Sequence, residues 1–431
     1  VVTVGGVAQP VSIGPGRPAR LPIGLEARSA VDVSVDGRHL GFEVIPGPMD
    51  PGAITVTGFA FPTDPDGRAD PSRPADAVVL PPRAWDRWLL ATGLGGRRSP
   101  LAAVAWQALT LSSAADAPID LVVWAEVVDP AGQVVPAFRS RVRDQQDLPY
   151  VSVLVRVPAH GEATAAIPVW VAEDEVEGVV TATRRVRVAP LGAAAPVAVL
   201  EAPIGVRRAT IGAPSAFALA VAASIVGWGW LARGWRRFLA TTPTSDLVTI
   251  ALFAAATFAV GAAFQLVGAV IATALGPLAP LITGLPDDAF RAVLLATLLT
   301  LLPRVGVFAA AAAIGFLMRG LVLGSFHPVD WLYVGSSIAL HEAGLWLAGI
   351  TRDPRWRDGS AAARWSRLTI GLGVPNAVAV VLGLASTAML YRLWFAGWYV
   401  AALALIPGLL YVAIGCRLAV PIADGLRRIA P

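Results

Sequence analysis

Residues 246–274 read DLVTIALFAAATFAVGAAFQLVGAVIATA, and Asp246 is the only charged residue among them. About 20 apolar residues are enough for a helix to cross the hydrocarbon core of a bilayer, so this stretch predicts a membrane-spanning helix. The same reasoning gives six other stretches, which are 214–232, 288–302, 305–325, 331–350, 368–390 and 394–420. Pro303 separates the short stretch 288–302 from the next one, and this pair is either two spans or a re-entrant hairpin. The second half of the chain is therefore predicted to be an all-α transmembrane bundle of about seven helices.

The composition agrees with a membrane protein. Hydrophobic residues make up 55% of the chain and charged residues only 15%, whereas soluble domains carry about 25% charged residues. All 34 basic residues are arginine, and the mean hydropathy is +0.64. The single cysteine, Cys416, excludes an intramolecular disulfide framework and a cysteine-rich metal site.

Arginine is unevenly distributed along the chain. Residues 1–205 hold 17 arginines and 22 acidic residues, whereas residues 206–431 hold 17 arginines and 8 acidic residues. The excess arginine lies between hydrophobic stretches, where a membrane explains it. The basic pI is therefore no evidence for nucleic-acid binding, and we expect no nucleic-acid partner.

The positions of the arginines also predict an orientation, because cytoplasmic loops are enriched in basic residues. If the first span runs from outside to inside, the inner side holds twelve of them, namely Arg233, Arg236, Arg237, Arg304, Arg352, Arg355, Arg357, Arg364, Arg367, Arg417, Arg427 and Arg428. We therefore expect a multi-pass protein of the inner or plasma membrane. Its N-terminal half would be extracytoplasmic and its C-terminus cytoplasmic.

The first half has short runs in which apolar and polar residues alternate, separated by turn residues. Examples are Val31–Val35, Asp120–Val128, Val151–Val157 and Val180–Val188. This pattern resembles immunoglobulin-like β-sandwich modules, and it predicts a multi-domain protein. We expect two exported β-sandwich modules at 1–110 and 111–205, an anchoring helix within 206–240, and a six-helix transmembrane domain at 245–431. An exported half also predicts a signal peptide that has been cleaved, unless the chain is truncated.

Polar residues within membrane spans are costly and indicate function by default. Eight residues are therefore candidates for binding a substrate, which are Gln265, Arg319, Ser337, His341, Glu342, Trp346, Asn376 and Trp398. Aromatic faces with a few polar groups are suited to a flat, polar heterocycle. Each candidate also has a plainer interpretation, such as pairing between helices, an arginine that reaches the headgroups, or an interfacial aromatic belt.

Several chemistries are excluded by the residues themselves. The pair His341-Glu342 lacks the second histidine of a zinc protease, because position 345 is Leu. The chain has no lysine, so it has no phosphate loop of the GxxxxGK[ST] type. We expect no enzyme activity, no catalytic residue, no bound metal and no cofactor.

Residues 245–430 resemble the substrate-binding S components of energy-coupling factor (ECF) vitamin transporters. The resemblance rests on the small-residue row Ala251, Ala255, Ala259 and Ala263, on the proline-rich stretch 276–287, and on the stretch ALHEAG at 339–344. It implies that the alanine row docks a transmembrane coupling protein, that 276–287 is an outer loop over the substrate, and that His341 contacts the substrate. It also implies separate cytoplasmic ATPases.

Two other functions remain open at this point. The chain is equally well interpreted as an accessory or structural subunit of a larger membrane complex, whose exported β-modules dock an extracellular partner. A less favoured hypothesis is an intramembrane enzyme or metal site at His341 and Glu342. Adjacent helical residues point about 100° apart, which makes a shared metal ion difficult without further ligands.

Overall fold

The computed structural model of the chain describes residues 2–4, 7–9, 29–35, 38–44, 51–85, 91, 103–140, 148, 150–172, 175–176, 180–191, 193, 195–209, 212–324 and 326–429. The described part of the first half is rich in β-strands, and the second half is helical. The chain divides into two compact units. The first is Val1–Arg68, Ala103–Glu175 and Ala182–Pro203, and the second is Ala69–Ala102, Val176–Thr181 and Ile204–Pro431.

The first unit contains two sheets that share one core, and a third, separate sheet. The separate sheet has the order β2-β1-β3-β4, and its strands are Val2–Val4 (β1), Val7–Gln9 (β2), Ser29–Val35 (β3) and Arg38–Val44 (β4). One of the two sheets that share the core has the order β10-β7-β5, with Ile54–Thr63 (β5), Ala105–Ser113 (β7) and Glu162–Val169 (β10). In the other, Ile119–Val128 (β8) pairs with Val151–Val157 (β9) and with Val180–Pro190 (β11).

Alternation along these strands builds the core of the first unit. In β8 every second residue from Ile119 to Val127 is buried, as expected for a strand with one face on a core. Leu109 and Leu111 of β7 pack in the same cluster as Leu121 and Val123 of β8. The apolar residues that alternate with polar ones at 120–128 and 151–157 therefore face a shared apolar core.

The expected module boundary at residue 110 falls inside β7. This strand pairs with β5 on one side and with β10 on the other, and both pairings are antiparallel. One sheet thus contains strands from both sides of residue 110. The division into two modules stays a prediction.

The second unit contains all the long helices. Their bounds are Gly212–Thr241 (α1), Thr244–Leu275 (α2), Ala279–Leu301 (α3), Val307–Leu323 (α4), Pro328–Leu347 (α5), Ala361–Leu368 (α6), Val374–Tyr391 (α7), Gly397–Leu405 (α8) and Val412–Ile429 (α9). Two π-helical segments, Thr369–Gly373 and Ile406–Tyr411, join α6 to α7 and α8 to α9. A short strand, Ala77–Leu80 (β6), pairs in parallel with the last residues of Ala198–Arg208 (β12).

Four helical stretches are long and apolar enough to cross a membrane, which are Gly212–Thr241, Thr244–Leu301, Ala361–Tyr391 and Gly397–Arg428. Val307–Leu323 is a shorter apolar helix. These lengths and compositions indicate a membrane protein. They do not by themselves show that all seven predicted stretches cross.

The stretch 276–287, expected to be an outer loop, is mostly helical. Only Gly276–Leu278 forms a turn, and α3 begins at Ala279. Gly276 has a positive φ of 53° and ends α2. Pro280 lies in the first turn of α3, where the backbone N–H that proline lacks would have no partner within the helix. α3 therefore has 23 residues, more than the short stretch at 288–302 suggests.

The helices have two ends that are held by different contacts. At one end Tyr399 Oη donates to the Pro277 carbonyl oxygen at 2.6 Å, which joins the start of α8 to the end of α2. The start of α5 lies at the same end, because Val329 packs in one cluster with Leu390 and Trp394, just before α8. At the other end Arg304 pairs with Asp246 at 2.9 Å, which joins the end of α3 to the start of α2. We call these the Pro328 end and the Arg304 end.

Helices α1 and α5 cross with their backbones in contact. A Cβ atom at Gly227 of α1 would overlap the carbonyl oxygen of Gly335 of α5, and one at Gly335 would overlap the hydroxyl of Ser224. Small residues at a crossing permit this close approach between membrane helices. Gly335 is thus a packing residue.

Gly227→Ala is expected to destabilise the protein, because the added methyl group has no space. Overpacking of this kind costs about 1–3 kcal/mol. Gly234 lies two turns further along α1, and a Cβ there meets nothing within 4 Å. Gly234→Ala is therefore the matched control, and it should be neutral or stabilising by up to about 1 kcal/mol. Thermal unfolding of the detergent-purified full chain measures both, and equal effects would contradict the contact at Gly227.

Candidate functional site

A cavity of about 170 Å³ lies among α2, α3, α4, α5 and α7. Five of the eight predicted substrate-binding residues line it, which are Gln265, Arg319, Ser337, His341 and Asn376. Four polar residues that the sequence analysis did not single out also line it, namely Thr257, Arg291, Asp330 and Tyr333. The structure therefore brings residues from five helices to one place.

His341 forms a wall of this cavity, and its polar atoms are used within the protein. Its Nδ1 donates to the Ser337 carbonyl oxygen at 2.8 Å and lies 3.1 Å from Ser337 Oγ. The ring also makes a hydrogen bond to the backbone of Leu372. Phe308 stacks on the imidazole with a centroid distance of 4.3 Å and an interplanar angle of 8°. His341 thus offers the cavity a flat, fixed surface.

Asn376 connects the cavity to the two π-helical segments. Its Nδ2 donates to the Gly408 carbonyl oxygen at 3.0 Å. Pro375 and Pro407 lie within or beside these segments, and proline cannot donate the hydrogen bond that an α-helix needs. π-Helical segments interrupt regular helices, frequently at functional sites. Asn376 therefore holds two interrupted helices together beside the cavity.

Three side chains that line the cavity have polar groups without partners. Gln265, Arg319 and Tyr333 make no side-chain hydrogen bond or ion pair with any residue that the structure describes. Gln265 is exposed, and Arg319 and Tyr333 are half-buried, so these groups open onto the cavity where a ligand could reach them. Convergent polar groups in an otherwise apolar pocket are characteristic of small-molecule sites.

A charged group on α3 lies beside the cavity and was missed in the sequence analysis. Arg291 Nη2 donates to Asp287 Oδ2 at 3.0 Å, with Asp288 next in sequence. The spacing of Asp287 and Arg291 is that of an ion pair on one face of a helix. The spacing of Asp287 and Arg291 is visible in the sequence, but the prolines of 276–287 predicted a loop there, so Asp287 was not placed on a helix. Asp330 accepts from the backbone N–H of His327 at 3.2 Å, at the start of α5.

The structure does not bring Glu342, Trp346 or Trp398 to the cavity. Glu342 follows His341 on α5 and therefore points about 100° away from it, into a groove that also contains Trp346 and faces α1. Trp346 is 48% exposed and lies under the Arg352 guanidinium, 5.1 Å from the ring centroid. Trp398 is 52% exposed. A role in ligand binding for these three stays a prediction.

The carboxylate of Glu342 has a clear structural role instead. Its Oε1 accepts from the backbone N–H groups of Gly306 and Ala309 at 3.2 and 3.0 Å, and Oε2 lies 3.2 Å from the Gly306 nitrogen. These are the first N–H groups of α4, which lack partners within the helix. Gly306 has no side chain to provide a cap. Glu342 therefore caps α4 from a neighbouring helix.

The alanine row on α2 faces away from the rest of the second unit. Ala251, Ala259 and Ala263 are exposed and Ala255 is half-buried, whereas Ile250 and Ala254 on the other face are buried. A flat exposed surface of small residues is compatible with docking another helix. Whether it does so stays a prediction.

Comparison with known proteins gives no further assignment, since no family model and no curated protein matches this sequence. Among the residues that the structure describes, no three His, Cys, Asp or Glu side chains are grouped so as to hold a metal ion. The function therefore has to be inferred from the cavity itself.

Glu342→Ala is expected to destabilise α4, because two backbone N–H groups lose their acceptor inside an apolar unit. A buried donor left without a partner costs about 1–3 kcal/mol. Glu342→Gln keeps one acceptor oxygen and should lose less. Arg304 is exposed and lies just before α4, so the rate of tryptic cleavage there measures unfolding of the first turn of α4. The melting temperature measures the loss of stability of the whole protein. Cleavage and melting of Glu342→Ala that match the wild type would contradict the capping role.

Proposed function

We propose that this chain is an integral membrane subunit that binds a small, polar heterocyclic nutrient for a transporter. The observation that carries the proposal is the convergence of the unpartnered polar groups of Gln265, Arg319 and Tyr333 on one cavity. A ligand with hydrogen-bonding edges would satisfy these groups, and its ring would pack on the flat surface formed by Phe308 and His341.

The size of the cavity limits the ligand to one ring. An apolar protein cavity of about 150 Å³ accommodates benzene, and this cavity measures about 170 Å³. A single heteroaromatic ring with one or two polar substituents fits this space. A ligand with two linked rings would need the helices to move apart.

The proposal includes seven membrane spans, with the Pro328 end outside and the Arg304 end inside. The excess of arginine at the Arg304 end and at the C-terminus supports this orientation. Arg319 lies near the end of α4, and Asp330 near the start of α5. The polar side of the cavity is therefore nearer the Pro328 end, and the ligand would enter from outside.

Transport would require partners, as the resemblance to S components implies. The exposed alanine row on α2 is the proposed docking surface for a transmembrane coupling protein, and separate cytoplasmic ATPases would supply the energy. The interrupted helices at 369–373 and 406–411 lie beside the cavity and provide the places where the helices could bend. The ligand would be released on the inner side after such a movement.

An accessory role in a larger membrane complex is the second candidate function. It is supported by the exposed apolar surface of the β-rich unit, which the proposal assigns to immunoglobulin-like sandwich modules. Leu154 of β9 is 63% exposed, and β9 lies at the edge of its sheet. Exposed edge strands are places where other chains add, so an extracellular partner could dock there.

Arg319→Gln and Tyr333→Phe should weaken ligand binding without unfolding the protein. A hydrogen bond to a charged group contributes about 1.5–3 kcal/mol and a neutral one about 0.5–1.5 kcal/mol. We therefore expect affinity to fall about tenfold or more for Arg319→Gln and about two- to tenfold for Tyr333→Phe. Native mass spectrometry of small molecules retained by the purified full chain measures the occupancy.

Arg417→Gln is the matched control for these variants. Arg417 lies on α9 with its guanidinium 6.0 Å from the Trp365 ring, outside the cavity, so this variant should retain the ligand like the wild type. The proposal is contradicted if the wild type retains no small molecule, or if all three variants retain the same amount of it.

The orientation is tested with single cysteines, because Cys416 is fully buried and should not react. Asp66 in the β-rich unit and Asp358 between α5 and α6 are both exposed. A membrane-impermeant maleimide should label Asp66→Cys in intact cells and should label Asp358→Cys only after the membrane is opened. The reverse pattern would overturn the proposed orientation.

A further inference from the structure

A second groove, of about 420 Å³, lies at the Arg304 end of the second unit. Its walls are the last three turns of α1 and the residues just before α4. The residues that matter here are Trp230, Gly234, Trp235, Arg237, Phe238 and Val305. It is separate from the cavity proposed for the nutrient, and no residue lines both.

One charged residue, Arg237, lines the groove, and the neighbouring turns of α1 carry two more arginines outside the lining. Arg233, Arg236 and Arg237 are exposed on the last turns of α1. None of them forms an ion pair with a residue that the structure describes. Two other arginines at this end are paired with an acidic residue, since Arg304 contacts Asp246 at 2.9 Å and Arg364 contacts Asp424 at 2.8 Å. The three arginines of α1 are therefore available to an external anion.

The rest of the groove is apolar and aromatic. Trp230 is 38% exposed and Val305 is 46% exposed. Trp235 stacks on Phe238 with a centroid distance of 6.2 Å. The space beside Gly234 is open, because a Cβ there meets nothing within 4 Å. Tryptophan beside arginine at the end of a membrane helix is typical of the membrane interface.

We infer that this groove binds one anionic glycerophospholipid from the surrounding bilayer. The phosphate would contact Arg237, the one charged residue of the lining, since guanidinium groups bind phosphate through paired N–H donors. An acyl chain would lie along Trp230 and Val305. Basic pockets between transmembrane helices bind anionic lipid headgroups in this way.

The charge complementarity and the apolar lining together select a lipid over a free anion. Inorganic phosphate would satisfy the arginines but would leave the aromatic part of the groove unfilled. A zwitterionic lipid would fill the apolar part, but its own cation would be repelled by Arg237. The lipid would also join the end of α1 to the start of α4 at Gly306, which lies in the same groove.

The inference is tested on the full chain by native mass spectrometry, with phosphatidylglycerol and phosphatidylcholine supplied in equal amounts. The wild type should retain one phosphatidylglycerol molecule in preference to phosphatidylcholine by about tenfold or more. Arg237→Gln should abolish this preference. Gly234→Phe keeps all three arginines and fills the open space, so it should lower retention of both lipids.

The control is Arg355→Gln, because Arg355 is exposed in the short helix Pro354–Asp358 and does not line the groove. This variant should behave as the wild type, and added inorganic phosphate should not displace the lipid. Equal retention of the two lipids by the wild type would overturn the inference. So would unchanged retention in Gly234→Phe, or displacement of the lipid by phosphate.

Discussion

The carboxylate of Glu342 fixes where α4 begins, and the candidate site depends on that position. Glu342 accepts from Gly306 and Ala309, and Phe308 lies between these two residues and stacks on His341. Two adjacent residues of α5 therefore hold two faces of the first turn of α4. Because an unpaired N–H in an apolar interior is costly, this arrangement sets the register of the two helices. Arg319, three turns further along α4, reaches the cavity as a consequence.

The polar residues of the helical unit thus fall into two groups with different roles. Glu342 and Asn376 bind backbone groups of other helices, and Ser337 and His341 bind each other within α5. Gln265, Arg319 and Tyr333 lack partners among the described residues and converge on one cavity. In a bilayer there is no water to satisfy such groups along the lipid-facing surface. The second group is therefore the part of the molecule that favours a ligand-binding function over a purely structural one.

Much of the fold follows from simple periodicity. Hydrophobic length locates α2, α4 and α5 within about three residues, whereas α1 and α9 end about nine residues beyond the predicted stretches. Alternation locates strands such as β8 and β9. The start of α3 could not be predicted from hydrophobic length, because Pro280 and Pro286 suggested a loop. In the structure Pro280 occupies a first-turn position of α3, and Pro286 lies inside the helix. The parallel pairing of β6 with β12 joins residues more than 100 positions apart, and no local pattern encodes it.

The candidate site was only partly accessible from the sequence. Five of its residues are polar groups in apolar stretches, which is a strong local signal. Tyr333 gave no such signal, because tyrosine is common near membrane interfaces. His341 and Glu342 are adjacent and seemed to form one site, yet the 100° turn between them sends one to the cavity and the other to α4. Which polar groups are left without partners is a property of the packed structure, and only the packed structure reveals it.

We propose that the cavity holds a small polar ligand in a transporter subunit. Purification from native membranes in mild detergent, with mass spectrometry of all co-eluting proteins and small molecules, tests this proposal. One single-ring polar metabolite should co-elute in stoichiometric amount, together with a membrane partner and ATPase subunits. A stoichiometric set of unrelated membrane or surface proteins, with no small molecule bound, would contradict it and would favour the accessory role.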